Sequence, residues 1–378
     1  MSDRLQIMTV FTPCPPPLPQ LLAEAVAKRA WPAAVLGVAA DDGRIWVSCA
    51  GRHRFDEKAQ AVSPDDLFDL ASLTKVIVTT TLAMLLYEQN RLRLDAPVTD
   101  DLPEFAQADS LEQTAWRRQV TVRHLLTHSA GLPSGRPFHR THADVASASE
   151  RRALVITTPL TTEPGRSAVY SDLGMIILGE LLTRIANQPL DQLARELIFT
   201  PLQMHDTTYN PPADWRSRCL PTELKSGSED EFWQGVVHDE NTRWLGGVAG
   251  HAGLFANISD LLRFAVMMLQ GGQGPTGRFL KPETIALFTS RAGLVPDSSR
   301  CLGWDSRGGD CPAAGEDAPP ECFGHGGFTG VSIWFNPKAG RAAILLTNAV
   351  HPLRQCKENG LVDWRRRINN IALNHARN

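Results

Sequence analysis

The sequence predicts an α/β (α+β) fold: one antiparallel β-sheet assembled from both chain ends and flanked by terminal helices, with an all-helical subdomain inserted between its halves. Three observations carry this. Extended apolar segments lie at Ala33–Ala39 and Arg44–Ala50 near the start, and at Val331–Phe335 and Arg341–Thr347 near the end. The stretch between them is helical in its apolar spacing and broken by long polar connections. Each terminus carries an amphipathic stretch of its own, able to cover a sheet face.

In chain order, Leu18–Arg29 reads as a helix, and the first two strands form a hairpin through the turn pair Asp42-Gly43. A long apolar helix follows over Ser72–Asn90, and Pro97, Asp100, Asp101 and Pro103 break the chain after it. Further helices are expected at Thr121–Thr127, Asp172–Asn187, Leu190–Phe199 and Ser259–Gln270, the last with Ser259 as N-cap and Gly271 just past its end. Ser134–Ser167 and Tyr209–Glu231 read as extended surface connections. The second hairpin turns through Asn336-Pro337-Lys338-Ala339-Gly340, and Val362–Ala376 closes the chain as a helix with a stripe of Trp364, Ile368, Ile371 and Leu373. This gives a sheet domain from residues 18–95 plus 275–378, an inserted helical domain over 96–274 and an extension over 1–17.

Composition narrows the function classes. The 378 residues carry 38 basic and 41 acidic side chains, net −3, with no basic run that could track phosphates, so nucleic acid is not an expected partner. The longest apolar runs, Val76–Leu86 and Met175–Leu182, fall short of the roughly 18 residues a membrane span needs. The first residues lack the pattern of a secretory leader, which reads as cytoplasmic as written, or periplasmic or secreted if a leader has been trimmed. Seven cysteines without a C-x-x-C pair suggest free thiols, with Cys311 and Cys322 as the one pair that could bridge. The histidines show no metal-ligand spacing, so neither a metal nor an organic cofactor is expected.

Ser72-Leu73-Thr74-Lys75 is the chain's only Ser-x-x-Lys and opens the long apolar helix. The three-residue offset places both side chains on one face, within reach of each other. A serine hydroxyl needs a base, and a lysine serves as one if burial keeps it neutral. Lys75 is the sole charged residue from Leu70 to Tyr87, and the helix start leaves the Ser72 N–H free to face an oxyanion. The plainer reading makes Ser72 a cap and lets Lys75 reach solvent. Tyr170, in Tyr170-Ser171-Asp172, is one of three tyrosines and could pass a proton to a leaving group; its plainer reading is a core tyrosine beside an Asp172 cap. Gly324-His325-Gly326-Gly327-Phe328 enters a strand, where the glycines permit close approach of a substrate and the Phe328 N–H can complete an oxyanion hole; a simple bulge is the alternative.

Ser-x-x-Lys, then Tyr-x-Asp, then His-x-Gly on a late strand resembles the serine β-lactamase and penicillin-binding-protein superfamily, especially its class C-like branch. Further stretches are similar to that family: Asp95-Ala96-Pro97-Val98, Leu102-Pro103-Glu104-Phe105, Leu125 to Leu132, Pro201 to Met204, Gly247 to Phe255 and Leu345 to Asn348, so that the resemblance runs from about residue 20 to 352. It implies the β-lactamase/transpeptidase-like fold and a serine hydrolase working through an acyl-Ser72 intermediate on a small ester, amide or lactam. The implied catalytic residues are Ser72, Lys75 and Tyr170, the oxyanion donors Ser72 and Phe328, and the substrate-binding residues Asp172, His325, Gly326 and Gly327. Two departures stand out. Asp172 replaces the Asn of class C enzymes, and His325 replaces their Lys, offering only a weak, pH-dependent positive charge to a substrate carboxylate. Small esters or D-amino-acid peptide amides are therefore the expected substrates, with a D-alanyl-D-alanine carboxypeptidase or a true β-lactamase as alternatives and a non-catalytic scaffold as the remoter one. In the family's pattern His128 and His251 are structural. The His-Gly-Gly run is not the loop of α/β-hydrolases, because no G-x-S-x-G accompanies it.

Overall fold

The computed structural model describes residues 11–308 and 313–374. Its main sheet has six antiparallel strands in the spatial order Ile45–Gly51, Ala33–Ala40, Arg341–Thr347, Ser332–Asn336, Phe323–Gly326 and Asp305–Ser306. The first and last hairpins thus meet in the middle of the sheet, where Ala34 lies opposite Thr347.

The central strands are buried on both faces, which is why they read as unbroken apolar runs and not as alternating ones. One face carries Leu36 and Leu345, packed with Leu22 of the helix Leu18–Ala27 and Ile368 of the helix Leu361–Asn374. Each leucine buried in this way contributes about 2 kcal/mol. The other face carries Val35 and Ile344, which join the helix Ile258–Leu269 in the main core. Gly37 permits that contact, since a Cβ there would meet Ile258 at 2.8 Å.

The middle of the chain differs from expectation in detail. The N-cap of Ile258–Leu269 is Asn257, whose side chain accepts from the Asp260 N–H, and not Ser259. A helix at Leu111–Gln119, capped by Ser110, has no apolar stripe to announce it; its one buried residue is Arg117, whose guanidinium donates to the carbonyls of Phe105, Ile156 and Thr158. The connection over 134–167 contains a helix, Ala148–Ile156, capped by Ser147. Thr208–Tyr209 pairs with Leu254–Ala256, which also pairs with Phe68–Asp69, forming a small sheet under the segment that leads to Ser72. Six cysteines are free, Cys322 among them; Cys311 lies outside the described residues.

Candidate active site

The segment before Ser72 is fixed from three sides. The buried Asp69 carboxylate accepts the Ala71 N–H at 2.8 Å and the His238 N–H at 2.6 Å, while the Asp69 carbonyl accepts the Thr329 hydroxyl at 2.8 Å. Ala71 holds φ at +45°, a left-handed conformation that costs a non-glycine residue on the order of 1 kcal/mol. Gly327 packs directly on this turn: a Cβ there would stand 2.8 Å from the Leu70 carbonyl oxygen. Glycine at 327 is thus what lets the His325–Gly330 turn lie against the base of the serine helix.

Neither the Ser72 nor the Phe328 N–H has an acceptor among the described residues. The Phe328 ring is stacked on His238, centroids 5.6 Å apart, with Lys357 Nζ 3.5 Å from its centroid. Two donors are therefore free on segments that touch each other.

Lys75 begins a stretch of π-helical backbone, Lys75–Thr80, and its side chain is fully buried. Its Nζ lies 2.9 Å from Ser72 Oγ, 2.8 Å from Asp172 Oδ1 and 3.2 Å from the His251 carbonyl oxygen. Asp172, read from the sequence as a substrate-binding residue, is thus also the lysine's ion-pair partner across the fold. Burial works against its charge, but the Asp172 carboxylate and then Tyr170 outweigh burial and raise the Lys75 pKa above its ordinary value. Ser171, and not Asp172, caps the helix Asp172–Ala186, which leaves the carboxylate free to reach Lys75.

The same three contacts serve both protonation states of the lysine. A neutral amine donates to Asp172 and His251 and accepts the Ser72 proton on its lone pair. An ammonium donates to all three. Taking the serine proton thus reverses one hydrogen bond and moves no atom far.

Tyr170 is half-buried among cations and imidazoles. Lys75 Nζ lies 4.9 Å and Arg300 Cζ 5.2 Å from its ring centroid, with the His128 ring at 4.7 Å and the His325 ring at 5.8 Å. His128 Nδ1 accepts the Ser171 N–H, so it braces the Tyr170 segment. His251 bonds Asp239 through Nε2 at 3.0 Å and presents its carbonyl to Lys75.

His325 Nδ1 donates to the Gly326 carbonyl at 2.7 Å, which fixes the tautomer. Burial, reinforced by Lys75 and Arg300, pushes its pKa down to about 3. The expected pH-dependent positive charge is therefore absent at neutral pH. A guanidinium also stands at the site, that of Arg300, 3.5 Å from Asp305, which sequence reasoning missed because a single arginine in a connecting turn carries no pattern. Among the described residues no group of three or more His, Cys, Asp or Glu side chains is placed to hold a metal ion.

A serine and a buried lysine in contact at a helix start, facing a glycine-rich strand edge, define a serine acyl hydrolase. The chain belongs to the Beta-lactamase family, whose model matches residues 18–363. It is 30% identical over 305 residues to a protein of Escherichia coli K12 named "Putative D-alanyl-D-alanine carboxypeptidase", covering 75% of this chain and 69% of that protein. Among solved structures it resembles EstCE1, a hydrolase with promiscuous acyltransferase activity, at TM-score 0.72 and 22% identity over 92% of this chain and 97% of that one. It likewise resembles a class C β-lactamase from Rhodobacter sphaeroides, at TM-score 0.70 and 19% identity over 93% of this chain and 97% of the other. The fold is that of these β-lactamase and transpeptidase-like proteins, and the chain is a serine hydrolase of the family.

Proposed function

We propose that Ser72 is the nucleophile and Lys75 its base, acting on small esters or on D-amino-acid peptide amides. The observation that carries this is the Lys75 amine held between the Ser72 hydroxyl and the Asp172 carboxylate. In the first step the Ser72 proton passes to Lys75 as the Ser72 oxygen bonds to the substrate carbonyl carbon, and the carbonyl electrons move to its oxygen, which the Ser72 and Phe328 N–H groups receive. The intermediate collapses with loss of the alkoxide or amine, which takes a proton from Tyr170, and Lys75 returns a proton to the phenol. Water then attacks the acyl-Ser72 ester by the reverse proton route, releasing the acid.

Asp172 makes Lys75 a stronger base but keeps more of it protonated at neutral pH. The neutral His325 weakens the case for efficient β-lactam hydrolysis, where class C enzymes place a lysine. The names of the curated relatives support a D-alanyl-D-alanine type of amide, and EstCE1 supports an ester. Incubation with an activated ester or a labelled β-lactam, followed by intact-mass analysis, is expected to show one acyl adduct per chain that Ser72→Ala abolishes. An adduct that survives this substitution overturns the proposal.

A further inference from the structure

Two cations stand against the Tyr170 ring, Lys75 with Nζ 4.9 Å from the ring centroid and Arg300 with Cζ 5.2 Å from it. Lys75 gains and loses a proton in the proposed reaction, whereas a guanidinium stays charged throughout. The other two neighbours of the ring are imidazoles, and burial, joined by Arg300 and Lys75, holds both below the ordinary histidine range. His128 Nδ1 accepts the Ser171 N–H and His325 Nδ1 donates to the Gly326 carbonyl, so each is a neutral ring in a fixed tautomer. Neither supplies charge to Tyr170 at neutral pH.

Arg300 is held in place by its own turn. Its backbone N–H donates to Ser298 Oγ at 3.2 Å, and its carbonyl accepts the Ala292 N–H at 3.0 Å. Its ion-pair partner is Asp305, whose Oδ1 accepts the Ser299 hydroxyl at 2.6 Å and the Ser306 N–H at 3.0 Å. The other carboxylate oxygen lies 3.5 Å from Arg300 Nη1, wider than the roughly 2.8 Å of a charge-assisted hydrogen bond. Asp305 therefore steadies the guanidinium with less compensation of its charge than Asp172 gives Lys75 at 2.8 Å.

When Tyr170 gives its proton to the leaving oxygen or nitrogen, the O–H electron pair stays on the phenolate and its negative charge spreads over the ring carbons. A cation at the ring face meets that charge as it forms. We infer that Arg300 is a positioning residue acting through Tyr170: its guanidinium stabilises the phenolate left when Tyr170 protonates the leaving group. The inference rests on the acyl-Ser72 reading and extends it to esters and amides whose leaving groups depart only with a proton.

The test compares kcat/KM on two esters of one acid: p-nitrophenyl butyrate, whose leaving group departs without a proton, and ethyl butyrate, whose ethoxide needs one. Arg300→Gln is expected to lower the ethyl ester rate about tenfold or more, part of the roughly hundredfold or greater effect of general-acid catalysis, and the p-nitrophenyl ester rate less than about threefold. Both rates come from one sample, so their ratio does not depend on the fraction that folds. Arg300→Lys, which keeps the charge, shifts the ratio less. Tyr170→Phe shifts it by itself, and adding Arg300→Gln moves it no further. The inference is overturned if Arg300→Gln lowers both esters equally, as a purely structural part in the 298–306 turn would, or leaves both unchanged. It is also overturned if Arg300→Lys shifts the ratio as far as Arg300→Gln, if Arg300→Gln shifts it again in Tyr170→Phe, or if the wild-type protein hydrolyses only the p-nitrophenyl ester. Any of these results with Ser72-dependent turnover of the p-nitrophenyl ester sinks the inference alone; no Ser72-dependent turnover of either ester sinks the acyl-Ser72 reading with it.

Discussion

The Lys75 ammonium nitrogen and the Asp172 carboxylate oxygen stand 2.8 Å apart, although 97 residues separate them in sequence. One lies on the serine helix and the other at the first turn of Asp172–Ala186, so the pair ties the two helices together at the site. The proton inventory of the reaction follows from it.

Because Asp172 raises the Lys75 pKa, the neutral base accumulates only as pH rises, and kcat/KM for an uncharged ester is expected to climb on the alkaline side of neutrality. Asp172→Asn removes the carboxylate, lets burial dominate, and moves that rising limb to lower pH by about one unit or more. A pH–rate profile of the two proteins checks this; coincident limbs would show that the carboxylate does not govern Lys75.

His325 is held neutral, with a pKa of about 3, and so is His351 at about 4, its Nδ1 donating to the Thr222 carbonyl. Both pKa values lie below the roughly 6.5 of an unfolded histidine, so between those limits the unfolded chain binds more protons than the folded one. Stability is therefore expected to fall as pH drops below about 6.5, by up to about 1.4 kcal/mol per pH unit per histidine. Melting curves from pH 7 to 4 read this, and His351→Asn should flatten the slope. NMR titration should show no His325 protonation step near pH 6.5.

Gly327→Ala places a methyl group against the Leu70 carbonyl oxygen and pushes the Phe328 turn away from the serine helix. A fall in kcat of about a hundredfold, the scale of losing one oxyanion donor, is expected with far-ultraviolet circular dichroism unchanged. Unchanged kcat would detach Phe328 from the oxyanion site.

Asp69→Ala leaves the Ala71 and His238 N–H groups buried without acceptors. A loss of about 3 kcal/mol in chemical denaturation is expected, with a lower kcat in the protein that remains folded. Stability within 0.5 kcal/mol of wild type, about the noise of a neutral surface change, would show that the carboxylate is not what holds this turn.

What the sequence revealed and what it hid divide along physical lines. Ser72 and Lys75 were legible because one helical turn brings them together, and the sheet was legible because strands buried on both faces leave apolar runs such as Ala33–Ala40. Asp172 was legible as a residue but not in its role: a carboxylate at a helix start reads as a cap, and only the tertiary packing shows that Ser171 caps and Asp172 reaches Lys75. The charge state of His325 depends on burial and on Arg300, both set by the fold. Leu111–Gln119 was missed because its buried residue is an arginine, whose partners are carbonyls from distant segments.

The most direct measurement is a rapid-quench experiment with an activated ester, in which the acyl group trapped during the burst is located by peptide mass mapping. The account predicts about one equivalent of acyl group on Ser72 in the wild-type protein and none in Lys75→Ala under the same conditions. A full burst in Lys75→Ala, or an acyl group on any other residue, would contradict it.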